Sequence, residues 1–257
     1  MSRRLWTKKE LIIAFNLYLK LPFGKMHKSN SEIINLAKLI ERTPSAIAMR
    51  LVNFASIDPY HQERGVSGLT GGVKQCQPIW DEFNSNKDEL FYESERILAE
   101  YQNQTIENKY SEILQDINWN IQGEEKVRAV KMRVNQNVFR QIILNNYSSK
   151  CAISGINIPE LLNASHIIPW SKNKLERLNP SNGICLSKLY DSAFDRGLIG
   201  INTDYSIIIS PKLMEYENAH YFAKHFGCLK KQKLNLPERF FPNKKFLEYH
   251  LDSIFQS

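Results

Sequence analysis

One histidine, one asparagine and two aspartates in the second half of the sequence have the types and spacing needed to hydrolyse a phosphodiester. His166 lies in a predicted strand, Asn182 lies at the start of the next strand, and Asp191 and Asp195 lie four residues apart in a predicted helix. Residues four apart share one helix face, so both carboxylates can point the same way. Two carboxylates that close repel each other unless a cation lies between them. A hard divalent ion such as Mg²⁺ or Mn²⁺ is therefore the expected guest.

The elements that must position these residues can be predicted from apolar runs and turn residues. Two strands, a short helix and a closing hairpin follow one another, and a loop with Pro180 separates the two strands. The predicted strands are Asn163 to Ile168 and Gly183 to Leu186, the helix is Ser187 to Phe194, and the hairpin joins Gly197 to Ile201 with Ser206 to Ile209. This order places the imidazole on a strand that faces the helix with the two carboxylates.

A longer set of residues in the same region forms a recognisable series. The series comprises Arg133, Gln136, Phe139 and Arg140, then Cys151, Ser154 and Gly155, then Ala164-Ser165-His166-Ile167-Ile168-Pro169-Trp170, and finally Asn179-Pro180-Ser181-Asn182-Gly183. It resembles the HNH nuclease family with its ββα-metal motif, and the resemblance extends from about Glu124 to Ile209. The resemblance implies a metal-dependent endonuclease.

The resemblance also implies a role for each site residue. His166 would be the general base that takes a proton from the attacking water, and Asn182 would hold that histidine in register. Asp191 matches the third motif residue and Asp195 a further metal ligand one helical turn on. Ser165 stands where many members have Asp, Glu or His, and it would be a weak neutral ligand.

Simpler interpretations exist for these residues. A single histidine in a strand is often a hydrogen-bonded core residue, and Asn182 before a glycine can be a turn residue. Asp191 can be a helix N-terminal carboxylate favoured by the helix dipole, and Asp195 can pair with Arg196 or Arg140. The cysteines are scattered and include no C-x-x-C pair, so we expect neither disulfides nor a structural zinc: Cys76, Cys151, Cys185 and Cys228.

The first half of the sequence predicts short helices. Thr7 and Glu10 form a capping box before the first helix, a second helix follows Asn30, and Thr43-Pro44 begins a third. The second and third helices resemble a helix-turn-helix pair, whose second helix would contact DNA with Ser45, Met49, Arg50 and Asn53. A predicted glycine-rich hairpin or loop over Gly65 to Val73 makes the arrangement similar to a winged helix. A plain three-helix packing domain fits the spacing about as well.

Composition and charge limit the class of protein. The chain has 257 residues, 42% hydrophobic and 24% charged, which excludes wholesale disorder and collagen-like sequence. The net charge is +7 and the sequence pI is 9.1, a balance that favours a polyanionic partner. Three arginines near the nuclease motif are predicted phosphate contacts: Arg133, Arg140 and Arg177. No apolar run is long enough to span a bilayer, so a cytoplasmic location is expected.

Together these observations predict an α+β protein with two domains. A mostly helical, winged-helix-like domain (residues 1–105) reads DNA, a linker covers residues 106–123, and an HNH nuclease domain covers residues 124–257. The predicted activity is metal-dependent cleavage of double-stranded DNA, of the restriction type, with modified bases as one form of substrate and a homodimer expected if both strands are cut. A catalytically idle DNA-binding protein and a non-specific or RNA-directed, toxin-like nuclease are the alternatives.

Overall fold

The structure, a computed structural model, describes residues 4–117, 123–230 and 232–256. The chain divides into two compact units, residues 1–138 and residues 139–257. None of the described helices has the length and apolar composition that a bilayer crossing requires.

The first unit is helical throughout its described part. Its helices are α1 (Lys8–Lys20), α2 (Ser31–Leu39), α3 (Pro44–Ala55), α4 (Pro59–Gln62), α5 (Thr70–Phe83), α6 (Lys87–Tyr101) and α7 (Ile106–Lys109), with 3-10 turns at Phe23–Lys25 and Ser111–Leu114. The predicted capping box is confirmed, because Thr7 accepts from the Glu10 amide and Glu10 accepts from the Thr7 amide. Thr43 also caps α3 as predicted.

Helix α1 is the centre of this unit and packs against α3, α5 and α6. Its residues from Glu10 to Leu19 are all buried, so it is covered on every side rather than on one face. The Phe15 ring stacks on Phe54 of α3, with centroids 4.8 Å apart, and lies 5.3 Å from Trp80 of α5. These aromatic contacts tie α3 and α5 to the central helix.

Of the hairpin or loop predicted over Gly65 to Val73, the hairpin is wrong, because residues 66–69 form a loop and α5 begins at Thr70. The glycines serve close packing between helices instead. A Cβ added at Gly72 would lie 2.1 Å from Asn53 Nδ2, and one at Gly68 would lie 2.8 Å from Asn53 Oδ1. Only residues without a side chain let this segment approach α3 so closely. The described part of the first unit therefore contains no wing.

The division between the two compact units falls between residues 138 and 139. Of residues 106–123, the first twelve are described and belong to the first unit, whereas residues 118–122 lie outside the described residues. Ile106 and Leu114 pack in one apolar cluster with Val130 and Val134 of α8 (Gly123–Asn146). The boundary lies inside α8, which begins in the first unit and ends in the second.

The second unit is built around two small antiparallel hairpins. It contains β1 (Leu162–His166), β2 (Gly183–Ser187), α9 (Lys188–Asp195), β3 (Ile199–Ile201), β4 (Ile207–Ile209), α10 (Pro211–Met214), α11 (Phe222–His225) and α12 (Lys244–Ser253), with 3-10 turns at Pro159–Leu161, Pro180–Asn182 and Gly227–Leu229. Strand β1 pairs with β2, and His166 stands opposite Gly183. Helix α9 packs on both strands, which gives the predicted ββα order.

The C-terminal helix closes the end of α9. The His250 ring of α12 stacks on Phe194, with centroids 3.7 Å apart, and His250 Nε2 bonds the Phe194 carbonyl at 3.0 Å. Burial lowers the pKa of His250 to about 4 and outweighs this hydrogen bond, so the ring is neutral at pH 7. The neutral, buried His250 therefore fixes Phe194, the residue that precedes Asp195.

Candidate active site

The His166 side chain is fixed on three sides at the end of β1. Its ring stacks on Phe139, with centroids 4.5 Å apart and planes at 13°, and meets Trp170 edge-on at 5.5 Å. Nε2 lies 2.8 Å from the Arg177 carbonyl oxygen. A carbonyl can only accept, so we assign the proton to Nε2, which donates it. The lone pair of the neutral ring is then on Nδ1.

The electrostatic surroundings keep His166 neutral near pH 7. Burial lowers the pKa of His166 and outweighs the Arg177 hydrogen bond and the charge of Asp191, which both raise it. A neutral imidazole with a free lone pair is able to accept a proton, as a general base must.

Gly183 explains how helix α8 comes so close to this strand. A Cβ at Gly183 would lie 2.5 Å from Ile143 and 2.8 Å from the Phe139 ring. Any side chain there would push Phe139 away from its place beneath His166. The glycine after Asn182 is therefore needed for packing under the histidine.

Asn182 holds the loop that supplies the carbonyl partner of His166. It is fully buried, and its Oδ1 accepts from the Ile168 amide at 2.8 Å. Its Nδ2 donates to the carbonyls of Ile168 at 3.1 Å and Glu176 at 3.2 Å. Asn182 thus joins the residue two places after His166 to the residue before Arg177. Its side chain bonds these flanking backbone groups, and the contact with His166 is indirect.

Asp191 and Asp195 lie one turn apart on α9, as the spacing predicts. Asp191 Oδ2 accepts from Asn163 Nδ2 at 2.6 Å. Burial of the carboxyl, followed by the charge of Asp191, raises the pKa of Asp195 to about 6, although the Asp195 side chain reaches solvent and water weakens the effect. Within the described residues no ion pair involves Asp195, so the alternative pairing with Arg196 or Arg140 is not formed.

Ser165 on β1 is buried and has an unused hydroxyl oxygen. Its residue is 3% exposed, and its Oγ has no hydrogen-bond partner among the residues that the structure describes. Because side chains alternate along a strand, Ser165 and Asn163 point to the same face of β1, and Asn163 contacts Asp191. A buried hydroxyl without a partner is costly unless a further group completes it.

The oxygen atoms of Asp191, Asp195 and Ser165 fit a hard divalent cation that takes only some of its ligands from the protein. The described residues contain no cluster of three or more histidine, cysteine or acidic side chains at metal-binding distance. Mg²⁺ commonly uses one or two carboxylates and completes its shell with water and substrate phosphate. Asp191 and Asp195, with the unpartnered Ser165 oxygen, supply oxygen ligands of that kind.

The predicted phosphate-binding arginines have distinct environments. Arg140 donates to the carbonyls of Leu162 at 2.6 Å and Pro159 at 3.0 Å, so it anchors the start of β1. The Arg177 guanidinium lies 4.8 Å from the Trp170 ring centroid. Arg133 is half-buried on α8 in the first unit.

The predicted DNA-contacting residues of α3 divide into two pairs. Ser45 and Met49 are exposed, whereas Arg50 and Asn53 are buried. Arg50 donates to the Gly72 carbonyl and to Gln75 Oε1, both at 2.9 Å. Asn53 accepts from the Leu69 amide at 2.9 Å. The buried pair therefore holds the beginning of α5 against α3.

Two contributions were not predicted from the sequence. Asn163 bonds the Asp191 carboxylate, and the Arg177 carbonyl fixes the ring of His166. Side chains alternate along β1, so Asn163 and Ser165 share one face of the strand. This pattern in the sequence could have indicated the contact of Asn163 with Asp191. The bond between His166 and the Arg177 carbonyl could not have been predicted, because a backbone carbonyl is present at every residue and no side-chain type marks this one.

The site as a whole consists of an oriented neutral histidine on a β-hairpin and two carboxylates on the helix that follows it. The two strands and the helix have the ββα order that the sequence predicts. Residues 151–202 match the family model of the HNH endonucleases, which confirms the resemblance for this segment. The matched segment contains β1, β2, α9 and β3 and all five predicted catalytic and metal residues. No curated protein matches the chain.

Proposed function

We propose that this protein is a metal-dependent endonuclease that hydrolyses phosphodiester bonds in double-stranded DNA. The observation that carries the proposal is the hydrogen bond from His166 Nε2 to the Arg177 carbonyl, which leaves the Nδ1 lone pair of a neutral ring as the proton acceptor. The match of residues 151–202 to the HNH endonucleases supports the same reaction class.

His166 acts as the general base. Nδ1 takes a proton from water, and the oxygen attacks phosphorus in line with the leaving oxygen. The developing imidazolium is stabilised by the Arg177 carbonyl and by the charge of Asp191. Phe139 beneath the ring restricts its rotation, and Asn182 fixes the loop that carries Arg177.

Asp191, Asp195 and Ser165 hold Mg²⁺ or Mn²⁺. When bound, the ion supplies Lewis-acid stabilisation of charge on the phosphate and the leaving oxygen. Asn163 orients Asp191 through its hydrogen bond. A carboxyl must be ionised to hold the ion, so the raised pKa of Asp195 restricts its role as a ligand to pH values above about 6.

The proposal extends to DNA recognition. We assign reading of DNA to the first unit through Ser45, Met49, Arg50 and Asn53, and phosphate contact to Arg133, Arg140 and Arg177. A reader joined to a nuclease indicates a restriction enzyme, for which modified bases are one class of target. We further propose that the protein is cytoplasmic and that it cuts both strands of DNA as a homodimer.

Plasmid cleavage with Mg²⁺ or Mn²⁺ tests this function, on methylated and unmethylated plasmid in parallel. We expect cutting by the wild-type chain, and none with chelator or with His166→Ala. Lys245→Ala, an exposed substitution on α12, is the matched control. DNA binding without cutting would identify an idle DNA-binding protein. Cutting of RNA in preference to both plasmids would identify an RNA-directed nuclease.

A further inference from the structure

The first unit contains a cavity of about 840 Å³ between α3, the start of α5 and the residues before α1. The four residues predicted to contact DNA all line it: Ser45, Met49, Arg50 and Asn53. A helix that reads the major groove projects into a groove about 12 Å wide. Here the corresponding side chains surround a concave space of the size that holds small ligands.

The lining of this cavity is cationic. Its described residues include Arg4, Arg42 and Arg50, and none of them is acidic. Arg4 and Arg42 pair with Glu10, whose pKa is lowered: burial raises it, but the Arg42 hydrogen bond and the Thr7 amide outweigh burial, so Glu10 stays ionised. Two arginines thus share one carboxylate, which leaves excess positive charge.

Arg50 has no acidic partner among the described residues. It is 6% exposed, and its hydrogen bonds go to the Gly72 carbonyl, Gln75 and the Cys76 sulfur, which are neutral acceptors. Its Nε is buried and has no partner among the described residues. A buried guanidinium without a counter-charge is unfavourable, so an anion in the adjacent cavity would relieve it.

The start of α5 supplies further donors to the same space. Helix α5 has 14 residues, and Leu69 at its N-cap provides no side-chain cap. The amides of Thr70 and Gly71 have no acceptor in the part of the chain that the structure describes. Free amides at a helix start attract anions, and phosphate is one such ligand. Gly71 has no atom within 4 Å of the place where a Cβ would lie, so its backbone borders open space.

An aromatic and apolar rim completes the cavity. The Trp6 ring lies 4.3 Å from the Arg42 guanidinium carbon and 4.5 Å from that of Arg50. Leu5 is 74% exposed, and Leu69 and Met49 are also exposed at the same cavity. An anionic group alone would leave this rim in water. A planar group attached to the anion would cover it.

We propose that this cavity binds a single nucleotide turned out of the DNA, an inference that rests on the proposed function. Its phosphate lies at the amides of Thr70 and Gly71 near Arg50, and its base covers Trp6 and the apolar rim. Enzymes that inspect or modify bases commonly take the nucleotide out of the stack into a pocket of this kind. The cavity would then recognise DNA through one nucleotide rather than through the major groove.

Calorimetric titration of the full chain with dTMP, thymidine and inorganic phosphate tests the pocket. We expect dTMP to bind at least about tenfold more tightly than thymidine, because the phosphate supplies the charge contact, and more tightly than phosphate alone, because the base covers the rim. Gly71→Ala would place a methyl group where the phosphate approaches and lower dTMP affinity at least about tenfold. Gly24→Ala, at an exposed glycine that also has nothing within 4 Å, should bind as wild type.

Ser45→Glu provides a second, charge-based variant. Ser45 lies in the first turn of α3, where a carboxylate favours the helix, so the chain should fold while dTMP binding weakens. Ser31→Glu makes the same change in the first turn of α2 away from the cavity and should have no effect. Equal binding of dTMP and thymidine, or unchanged dTMP affinity in both Gly71→Ala and Ser45→Glu, would overturn the proposal.

Failure of the pocket and failure of the nuclease are separable. If the chain binds dTMP with these variant effects but cuts no plasmid, the pocket proposal is supported and the endonuclease proposal is contradicted. If the chain cuts plasmid in a His166-dependent way but shows no preference for dTMP, the endonuclease proposal is supported and the pocket proposal is contradicted.

Discussion

His166 Nε2 donates to the Arg177 carbonyl at 2.8 Å, and this bond decides which ring nitrogen can act as a base. The two residues lie eleven positions apart, at the two ends of a loop. Asn182 closes that loop by bonding Ile168 and Glu176. The orientation of His166 therefore depends on Asn182. The Asn182 side chain bonds Ile168 and Glu176 and does not contact His166 directly.

Asn182→Ala should impair both the fold of this loop and catalysis. The change leaves the buried Ile168 amide without its acceptor, which lowers the free energy of unfolding by about 1–3 kcal/mol. The cleavage rate should fall because the Arg177 carbonyl loses its fixed place, while KM for DNA changes little. Asn182→Asp keeps the Oδ1 acceptor and should recover part of the stability. A wild-type rate in Asn182→Ala would contradict the positioning role.

The pH dependence of cleavage should follow the lowered pKa of His166. Burial is the main cause of the shift, so the base stays unprotonated down to below its usual value of 6.5. Only the neutral ring accepts a proton, so the contribution of His166 to the rate is present above its pKa and is lost as the pH falls through it. Single-turnover rates at saturating Mn²⁺ should therefore reach half of their plateau below pH 6.5. A midpoint well above pH 7 would contradict this assignment.

The titration of Asp195 in the metal-free chain should depend on the charge of Asp191. Burial and the charge of Asp191 raise the pKa of Asp195 to about 6, so Asp191→Asn should lower the pKa of Asp195. Carbon-13 NMR of the Asp195 carboxyl measures the shift, with Ser192→Ala on the same helix as the control. The same Asp191→Asn chain should bind Mg²⁺ at least about tenfold more weakly. An unchanged Asp195 titration would show that the two carboxyls do not interact.

The acid stability of the first unit should depend on Glu95. Its buried carboxylate lies 2.6 Å from Lys20 Nζ and 2.7 Å from Lys109 Nζ. Burial raises the pKa of Glu95, but these two charges outweigh it and lower the pKa to about 2 from a usual 4.5. Because the folded pKa is the lower one, the stabilisation is present above pH 4.5 and is lost as the pH falls toward about 2.

Glu95→Gln leaves both lysines without a counter-charge and should lower the free energy of unfolding by about 3–5 kcal/mol at pH 7. Urea unfolding at several pH values measures this loss, and the variant should lose the acid dependence below pH 4.5. Glu100→Gln on the same helix removes an exposed carboxylate that pairs with Lys9 and should change stability by less than about 1 kcal/mol. Equal stabilities of the two variants would refute a dominant role for Glu95.

The local signals in the sequence were sufficient for the elements that carry the site. Thr7, Asn30 and Thr43-Pro44 mark helix starts that the structure confirms, because capping is determined by residues within one turn. The strand, strand, helix order was predicted from apolar runs and turn residues. His166 lies on β1 and Asp191 and Asp195 on α9, while Asn182 ends the 3-10 turn before β2, and their roles are proposals.

Features that depend on contacts between distant segments were not predicted. Gly68 and Gly72 indicate a turn by composition, yet they permit the close approach of α5 to Asn53. Arg50 and Asn53 have polar types that suggest an outward face on α3, but both point into contacts with the start of α5. Residue type alone does not distinguish a polar group that binds its own chain from one that binds a ligand.

Imidazole rescue of His166→Gly tests the central claim most directly. The substitution removes the base and leaves a space above Phe139, so the single-turnover cleavage rate of plasmid with Mn²⁺ should fall at least about 100-fold. Added imidazole should restore part of the rate in proportion to its neutral form, while Lys245→Gly should need no rescue. Cleavage by His166→Gly at the wild-type rate would contradict His166 as the base, as would a folded variant that imidazole does not accelerate.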